Sequence, residues 1–269
     1  MGAREVRIRR RPMLIGTSLY ERNEETGRVD YRVSGQRALL DHNPFLAKVP
    51  RAFLGDFVAN TSARAYERKQ QLRGTVSSMV HIILSGCVAE ESTYGEATSV
   101  RILGAGAVLG DAEVFNEQLN APSTWCLNTT YTLAAPLERM RTMTEHNSVI
   151  MMALGNSITE RLAVGEQVYN RHMLPPEQRL AGLFVHLLHG CAVPNSRFGR
   201  MLEGPSQSDL AAALSISRAT IETAMRILRD KELVVTGYRT YEFPSERRLA
   251  EMGKVRIPSQ MVTGEASGV

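Results

Sequence analysis

Cysteine is scarce and poorly spaced for chemistry: the 269 residues hold three, Cys87, Cys126 and Cys191, an odd number with no C-x-x-C pair. This argues against a disulfide framework, a zinc site or an iron–sulfur cluster, which takes about four thiolates, and leaves buried free thiols as the expectation. No run of about 18 apolar residues occurs, so no membrane-spanning helix is expected. The arginine-rich start lacks the apolar stretch of a signal peptide, which makes the cytoplasm the expected compartment. G-x-S-x-G, H-E-x-x-H and a Walker loop are all missing, and no nucleophile stands at a readable spacing from a base, so the chain does not read as an enzyme. Gly104-x-Gly106-x-x-x-Gly110 has part of the spacing of a dinucleotide loop, yet the residues after it promise no helix and no βαβ unit surrounds it; it reads as a turn. His81, His146 and His172 stand alone and read as structural residues rather than haem ligands. No metal site is expected.

What is present is a chain of ordinary globular make-up, 43% hydrophobic and 22% charged, long enough for about two domains. A formal charge of +4 is compatible with a polyanionic partner without identifying one. Residues 1–11 hold Arg4, Arg7, Arg9, Arg10 and Arg11 against the single acid Glu5, and residues 1–40 read as a basic extension, with a turn at Asn23-Glu24-Glu25-Thr26-Gly27.

From residue 43 to 57 the pattern suggests short helical pieces interrupted at Pro50. Between Ser62 and Leu137 come short runs rich in Val, Ile, Thr and Tyr with glycines at their boundaries, the signature of a roll, sandwich or barrel over residues 41–136. Residues 137–173 turn helical. From Ser148 to Met173 there is no proline, and Met151, Leu154, Ile158, Leu162 and Val168 recur on roughly one stripe, predicting a helix of about 25 residues and about 37 Å. Two readings stay open for that stripe: packing on its own domain, or a two-fold seam with a second copy. Leu174-Pro175-Pro176 ends the helix. A second follows with Leu180, Leu183, Phe184, Leu187 and Leu188 inward and Gly190 as its stop, opening a unit over residues 174–255 before a tail at 256–269.

Residues 205–229 read as two short helices joined by a tight turn. Ser206 with Asp209 forms a capping box for the first, and Gln207 opens it; Ser217 caps the second. In the second helix Ile221, Ala224, Met225 and Leu228 form the buried face, leaving Arg218, Ala219, Glu222, Thr223, Arg226 and Arg229 outward. Short polar and arginine side chains at the start of such a helix are what a major groove accommodates. Beyond Leu233, Gly237 permits a turn into Tyr238–Phe243, a two-stranded wing that would place Arg239 near phosphates, and Ser245 can cap a final helix.

The segment S-Q-S-D-L-A-A-A-L-S-I-S-R-A-T-I-E-T-A-M-R-I-L-R-D-K-E-L-V resembles the helix-turn-helix of the CRP/FNR family of transcription regulators. The resemblance implies an α+β fold over residues 41 to 253: an antiparallel, jelly-roll-like β-roll of the cyclic-nucleotide-binding type, a long dimerisation helix, and a C-terminal winged helix-turn-helix. It implies double-stranded DNA, a second copy of the chain and RNA polymerase as partners, with phosphate contacts from Gln207 and Ser217 and a guanine or phosphate contact from Arg218. Two outward positions depart from the family pattern: Ala219 stands where a base-reading glutamate is common, and Thr223 where an arginine is common. The preferred half-site is expected to differ accordingly.

In the same family the roll carries a phosphate-binding cassette with a Gly-Glu pair for the ribose and an arginine about ten residues on. By resemblance it lies at Gly110-Asp111-Ala112 through Ala121-Pro122-Ser123-Thr124-Trp125, with Ala121 or Pro122 in the arginine's place. The acid is shortened to Asp111, and no Arg or Lys occurs between Gly110 and Leu137. Losing that charge-assisted contact costs a cyclic nucleotide about 1.5 to 3 kcal/mol, roughly tenfold or more in affinity. Val164 and Gly165 fall where relatives that bind cyclic AMP place adenine-contacting hydroxyls. The expectation is a regulator without ordinary cyclic-AMP control. Two alternatives stay open: response to cyclic AMP or another small effector through a degenerate pocket, and a module that binds a protein instead of DNA.

Overall fold

The computed structural model describes residues 21–22, 29–30, 42–116, 118–119, 121–195 and 197–257. The arginine-rich arm, the Asn23–Gly27 turn and the tail from residue 258 lie outside them. Strands β1 (Glu21–Arg22) and β2 (Val29–Asp30) pair antiparallel with each other.

The expected roll is present. A short 3-10 turn at Leu46–Lys48 and helix α1 (Arg51–Ala59), separated by Pro50, precede it. One of its sheets has the order β3 (Ser62–Tyr66), β10 (Thr130–Pro136), β5 (Met79–Ser85), β8 (Val108–Leu109). The other runs β4 (Gln71–Arg73), β9 (Ser123–Cys126), β6 (Val88–Tyr94), β7 (Ala97–Leu103). All pairings described are antiparallel. In β5 the five residues from Val80 to Leu84 are buried, so this strand is covered on both faces, which explains an apolar run broken only by His81. Against the roll lie α3 (Leu137–His146) and α4 (Ser148–Val164), contributing Met140, Ile150, Ala153 and Leu154 to its core.

Helix α4 starts where Asn147 Oδ1 accepts from the amides of Val149 and Ile150. It is shorter than the sequence suggests. Its last turn widens over Gly165–Tyr169, where the Asn170 amide reaches back five residues to the Gly165 carbonyl at 2.9 Å. Tyr169 fastens that end to the roll: its hydroxyl accepts from Ile102 N at 3.0 Å and donates to Ile102 O at 3.1 Å.

The predicted apolar stripe divides into two faces. Leu154 and Val168 are buried in the chain's own cores, alongside Ile150 and Ala153 for the former and Tyr169 for the latter. Met151 and Leu162 are exposed, and Ile158 is partly so. At 100° per residue Met151, Gly155, Ile158 and Leu162 form one line, and Leu154 stands about 60° away, which is enough to turn it inward. Leu154 and Val168 are therefore corrected from seam residues to core residues.

Pro175 and Pro176 begin α5 (Pro176–Gly190), whose apolar face is buried throughout. It carries the second unit: α6 (Gln207–Leu214), α7 (Arg218–Asp230), α8 (Glu246–Gly253) and a sheet in the order β11 (Ala192–Asn195), β12 (Gly199–Glu203), β14 (Thr240–Glu242), β13 (Val235–Gly237). The β11–β12 hairpin is an addition to the two-stranded wing read from the sequence; its short strands hold too little periodicity to stand out. Ser245 caps α8 as expected, accepting from Arg248 N.

The two units meet backbone to backbone. Ala105 N donates to Gly190 O at 2.6 Å, and a Cβ on Gly104 would collide with that carbonyl. Glycine at 104 thus serves close approach rather than phosphate binding. Gly104→Val is expected to pry the units apart and lower the thermal midpoint by several degrees, roughly the effect of 1 to 3 kcal/mol of overpacking. An unchanged midpoint would contradict this contact. The sequence reading of no helix after Gly110 is also corrected, since α2 (Asp111–Phe115) forms there, but as a single turn.

All three cysteines are buried free thiols. His81 in β5 is buried beside Thr132, and desolvation, followed by the charges of Arg64 and Arg73, lowers its pKa to about 3. The unfolded chain takes up that proton near pH 6.5 and the folded chain does not, so stability falls as pH drops below 6.5, by about 2 kcal/mol from this residue at pH 5. Urea midpoints at pH 7.5 and pH 5 in wild type and His81→Gln check this. The acid-side loss shrinks in the variant; an equal loss in both would assign it elsewhere.

Candidate nucleic-acid interface and the roll cassette

Helix α6 is short, and its first turn is held by a reciprocal capping box. Ser206 N donates to Asp209 Oδ2 at 2.7 Å, and Ser206 Oγ accepts from Asp209 N at 3.3 Å. Ser215 closes the helix in a left-handed conformation and Ser217 opens α7, its Oγ accepting from Thr220 N at 3.0 Å. Ile221, Ala224, Met225 and Leu228 are all buried. On the other side Arg218, Ala219, Glu222, Thr223, Arg226 and Arg229 are exposed. The structure thus brings six outward positions of the second helix onto one uncovered face. Arg218 lies along it, its Nε 3.0 Å from Glu222 Oε1 with both side chains more than half exposed. An exposed pair of this kind is worth at most about 1 kcal/mol, so the guanidinium can be redirected cheaply.

Arg239 is placed differently from its expected role. Its guanidinium donates twice to Gly204 O, at 2.9 and 2.6 Å, and reaches Asp209 Oδ2 at 3.3 Å. It therefore ties the wing to the cap of α6 instead of standing free. The exposed side chain at the wing tip is Tyr238, 90% accessible. Gln207 is half-buried beside the cap.

The cassette residues also converge. Gly110, with φ of 91°, turns the chain so that Asp111 points inward at 0% exposure. Thr124 is fully buried and pairs in register with Arg73 on one side and Glu90 on the other. Ser123 and Pro122 border it half-buried, as does Ala112 beside Asp111. Gly165 sits close to the Arg101 guanidinium of β7, while Val164 packs against the apolar cluster that joins roll residues such as Ile102 to the second unit.

Two arginines enter this space from outside the cassette, and the sequence reading missed both. Arg161 of α4 donates through Nη2 to Asp111 Oδ1 at 2.5 Å and through Nη1 to Val108 O at 3.2 Å, and it lies 3.9 Å from Glu90. Arg73 of β4, fully buried, pairs with Glu113 at 2.9 Å and donates to Met79 O. Burial opposes the Arg161 charge, yet Asp111 and Glu90 together raise its pKa above the ordinary value. Burial pushes both carboxyls up while Arg161 pulls them back. A signal existed for Arg161: it lies seven residues after Leu154 and seven before Val168, a charge on an otherwise inward stripe.

These residues do not suit a cyclic nucleotide. The carboxylate that would accept a ribose hydroxyl is ion-paired with Arg161, and Arg73 is ion-paired with Glu113. Three buried polar atoms here, Arg73 Nη2, Asp111 Oδ2 and Thr124 Oγ1, have no hydrogen-bond partner among the described residues.

No protein-family model matches the chain, and neither does any curated protein. Solved structures do match. A CRP-family transcriptional regulator from Thermus thermophilus aligns with TM-score 0.59 and 15% identity over 73% of this chain and 99% of that one. FixK2 from Bradyrhizobium japonicum gives 0.58 and 15% over 71% and 96%. CLP, the c-di-GMP-responsive global regulator of Xanthomonas campestris, gives 0.56 and 16% over 73% and 100%. At such identities the likeness is one of architecture: the chain has the fold of the CRP/FNR transcription regulators, a β-roll joined through a long helix to a winged helix-turn-helix.

Proposed function

We propose that this protein is a sequence-specific DNA-binding transcription regulator that acts as a homodimer on a palindromic site, without control by cyclic AMP through its roll. The observation that carries the reading is the uncovered face of α7, with Arg218, Arg226 and Arg229 along it and the short Ala219 and Thr223 among them, over a buried opposite face. Two copies joined along Met151, Ile158 and Leu162 would present two such helices to successive major grooves. Ser206, Gln207 and Ser217 at the helix starts would meet phosphates through their backbone amides and polar side chains. The Asp111–Arg161 pair supports independence from cyclic AMP, because it supplies internally the charge contact a nucleotide would make. Among the described residues no helix is long and apolar enough to cross a membrane.

The reading is tested by titrating duplex DNA at 50 and 200 mM salt. A DNA complex with six or more phosphate contacts weakens by about a thousandfold between them. Arg226→Ala is expected to reduce affinity and relax base preference at one position per half-site, a loss of about 1 to 3 kcal/mol. Salt-insensitive binding, or no DNA binding beside stable capture of a protein, would favour a protein-binding module instead.

A further inference from the structure

A second site lies apart from the cassette, in the cleft between the roll and the helix-turn-helix. It has a volume of about 450 Å³, within the range of small-molecule sites, which favour domain boundaries. The roll side is the turn Arg68-Lys69 with Trp125; the facing wall is Ser206, Asp209 and Arg239. Within the roll, the adjacency of the Arg68-Lys69 turn and Trp125 is fixed by the backbone. Lys69 N donates to Cys126 O at 2.7 Å, Cys126 N donates to Gln70 O at 2.9 Å, and Gln71 pairs with Trp125.

Three features give the cleft a chemical preference. First, its charge is unbalanced. Asp209 is already shared by Ser206 and Arg239, while Arg68 and Lys69 are exposed and carry no ion pair among the described residues. Second, Trp125 is 41% exposed on a strand whose neighbours Thr124 and Cys126 are buried, so its indole reaches solvent in the same cleft as those cations. Third, Lys69 holds φ of 69°, a left-handed conformation that costs a lysine about 1 kcal/mol and that glycine or asparagine would take more easily.

We propose that this cleft binds a phosphorylated nucleoside, with its ring on Trp125 and its phosphate between Arg68 and Lys69. A planar ring and a compact anion in one molecule match an aromatic face next to two unpaired cations. The occupant would touch both units, so it would bias how the helix-turn-helix sits on the roll. A run of duplex DNA backbone would use the cations but leave the indole without a partner, which is why the small ligand is favoured.

Trp125 is the sole tryptophan of the chain, so intrinsic fluorescence of the full-length protein reads this cleft alone. Titration with 5′-AMP or 5′-GMP is expected to quench it saturably; inorganic phosphate, which has no ring, and guanosine, which has no charge, are expected to fall well short. In the double variant Arg68→Ala, Lys69→Ala the apparent affinity for 5′-GMP drops by roughly tenfold or more. No quench by either nucleotide at millimolar concentration, or an undiminished quench in the double variant, overturns the proposal. So does a double variant that loses DNA affinity in a protein whose tryptophan ignores nucleotides, since the cations would then serve the DNA backbone. DNA binding is measured on the same samples: quenching without DNA binding sustains the cleft and removes only the regulator reading.

Discussion

Replacing Arg161 with methionine is expected to cost the fold about 3 to 5 kcal/mol, among the largest single losses available in the roll. The substitution keeps the aliphatic bulk and removes the guanidinium, so Asp111, at 0% exposure, and Glu90, at 6%, are left buried together without their cation. Burial already raises the pKa of both acids, and without Arg161 at least one takes up a proton. The loss should therefore be greatest at high pH and shrink as pH falls toward the raised pKa. The double variant Arg161→Met, Asp111→Asn is expected to recover part of the stability, because replacing both partners removes the unpaired charge. Denaturant midpoints across pH for wild type, the two single variants Arg161→Met and Asp111→Asn, and the double variant check this. If Arg161→Met were neutral at pH 8, the pair would be a surface contact and the cassette would be open to an effector after all.

The second large effect concerns the exposed line on α4. Leu162 is 62% accessible and Met151 42%, in a helix whose other face is firmly packed. Leu162→Glu is therefore expected to leave the monomer's stability nearly unchanged and to abolish dimerisation. A monomer engages a single half-site and forfeits the effective concentration of the second, so affinity for a palindrome should fall by roughly a hundredfold or more. Sedimentation and DNA titration of the same variant read the two consequences separately. A variant that remained dimeric would move the seam elsewhere. Leu154→Glu is the matching control: it lies inside the roll core and should unfold the protein rather than split a dimer.

The helix-turn-helix was legible in the sequence because its signals are local. Ser206 and Asp209 three residues apart, Ser217 at the next cap, and a strict inward set from Ile221 to Leu228 specify two helices whatever surrounds them. The roll was legible as strand runs, although the pairing of β10 between β3 and β5 depends on contacts across some fifty residues or more and left no local trace. Position on the long helix was only half legible, since a stripe about 80° wide can contain both Leu162 on the surface and Leu154 in the core. The cassette was the least legible part. Reading the loop from Gly110 to Leu137 showed that it lacks a cation, but Arg73 and Arg161 are supplied by a strand and a helix on either side of it in the chain. Arg239 shows the same limit in miniature, as an arginine on a wing looks free until Gly204 O and Asp209 are seen beside it.

The most direct measurement is selection of genomic DNA fragments by the purified protein, at two salt concentrations, with and without cyclic AMP. The account predicts enrichment of a palindrome whose half-sites lie about one helical turn apart, weakened by salt and unchanged by the nucleotide. Enrichment only when cyclic AMP is present would contradict the closed cassette, and no enrichment under any condition would contradict the DNA-binding reading itself.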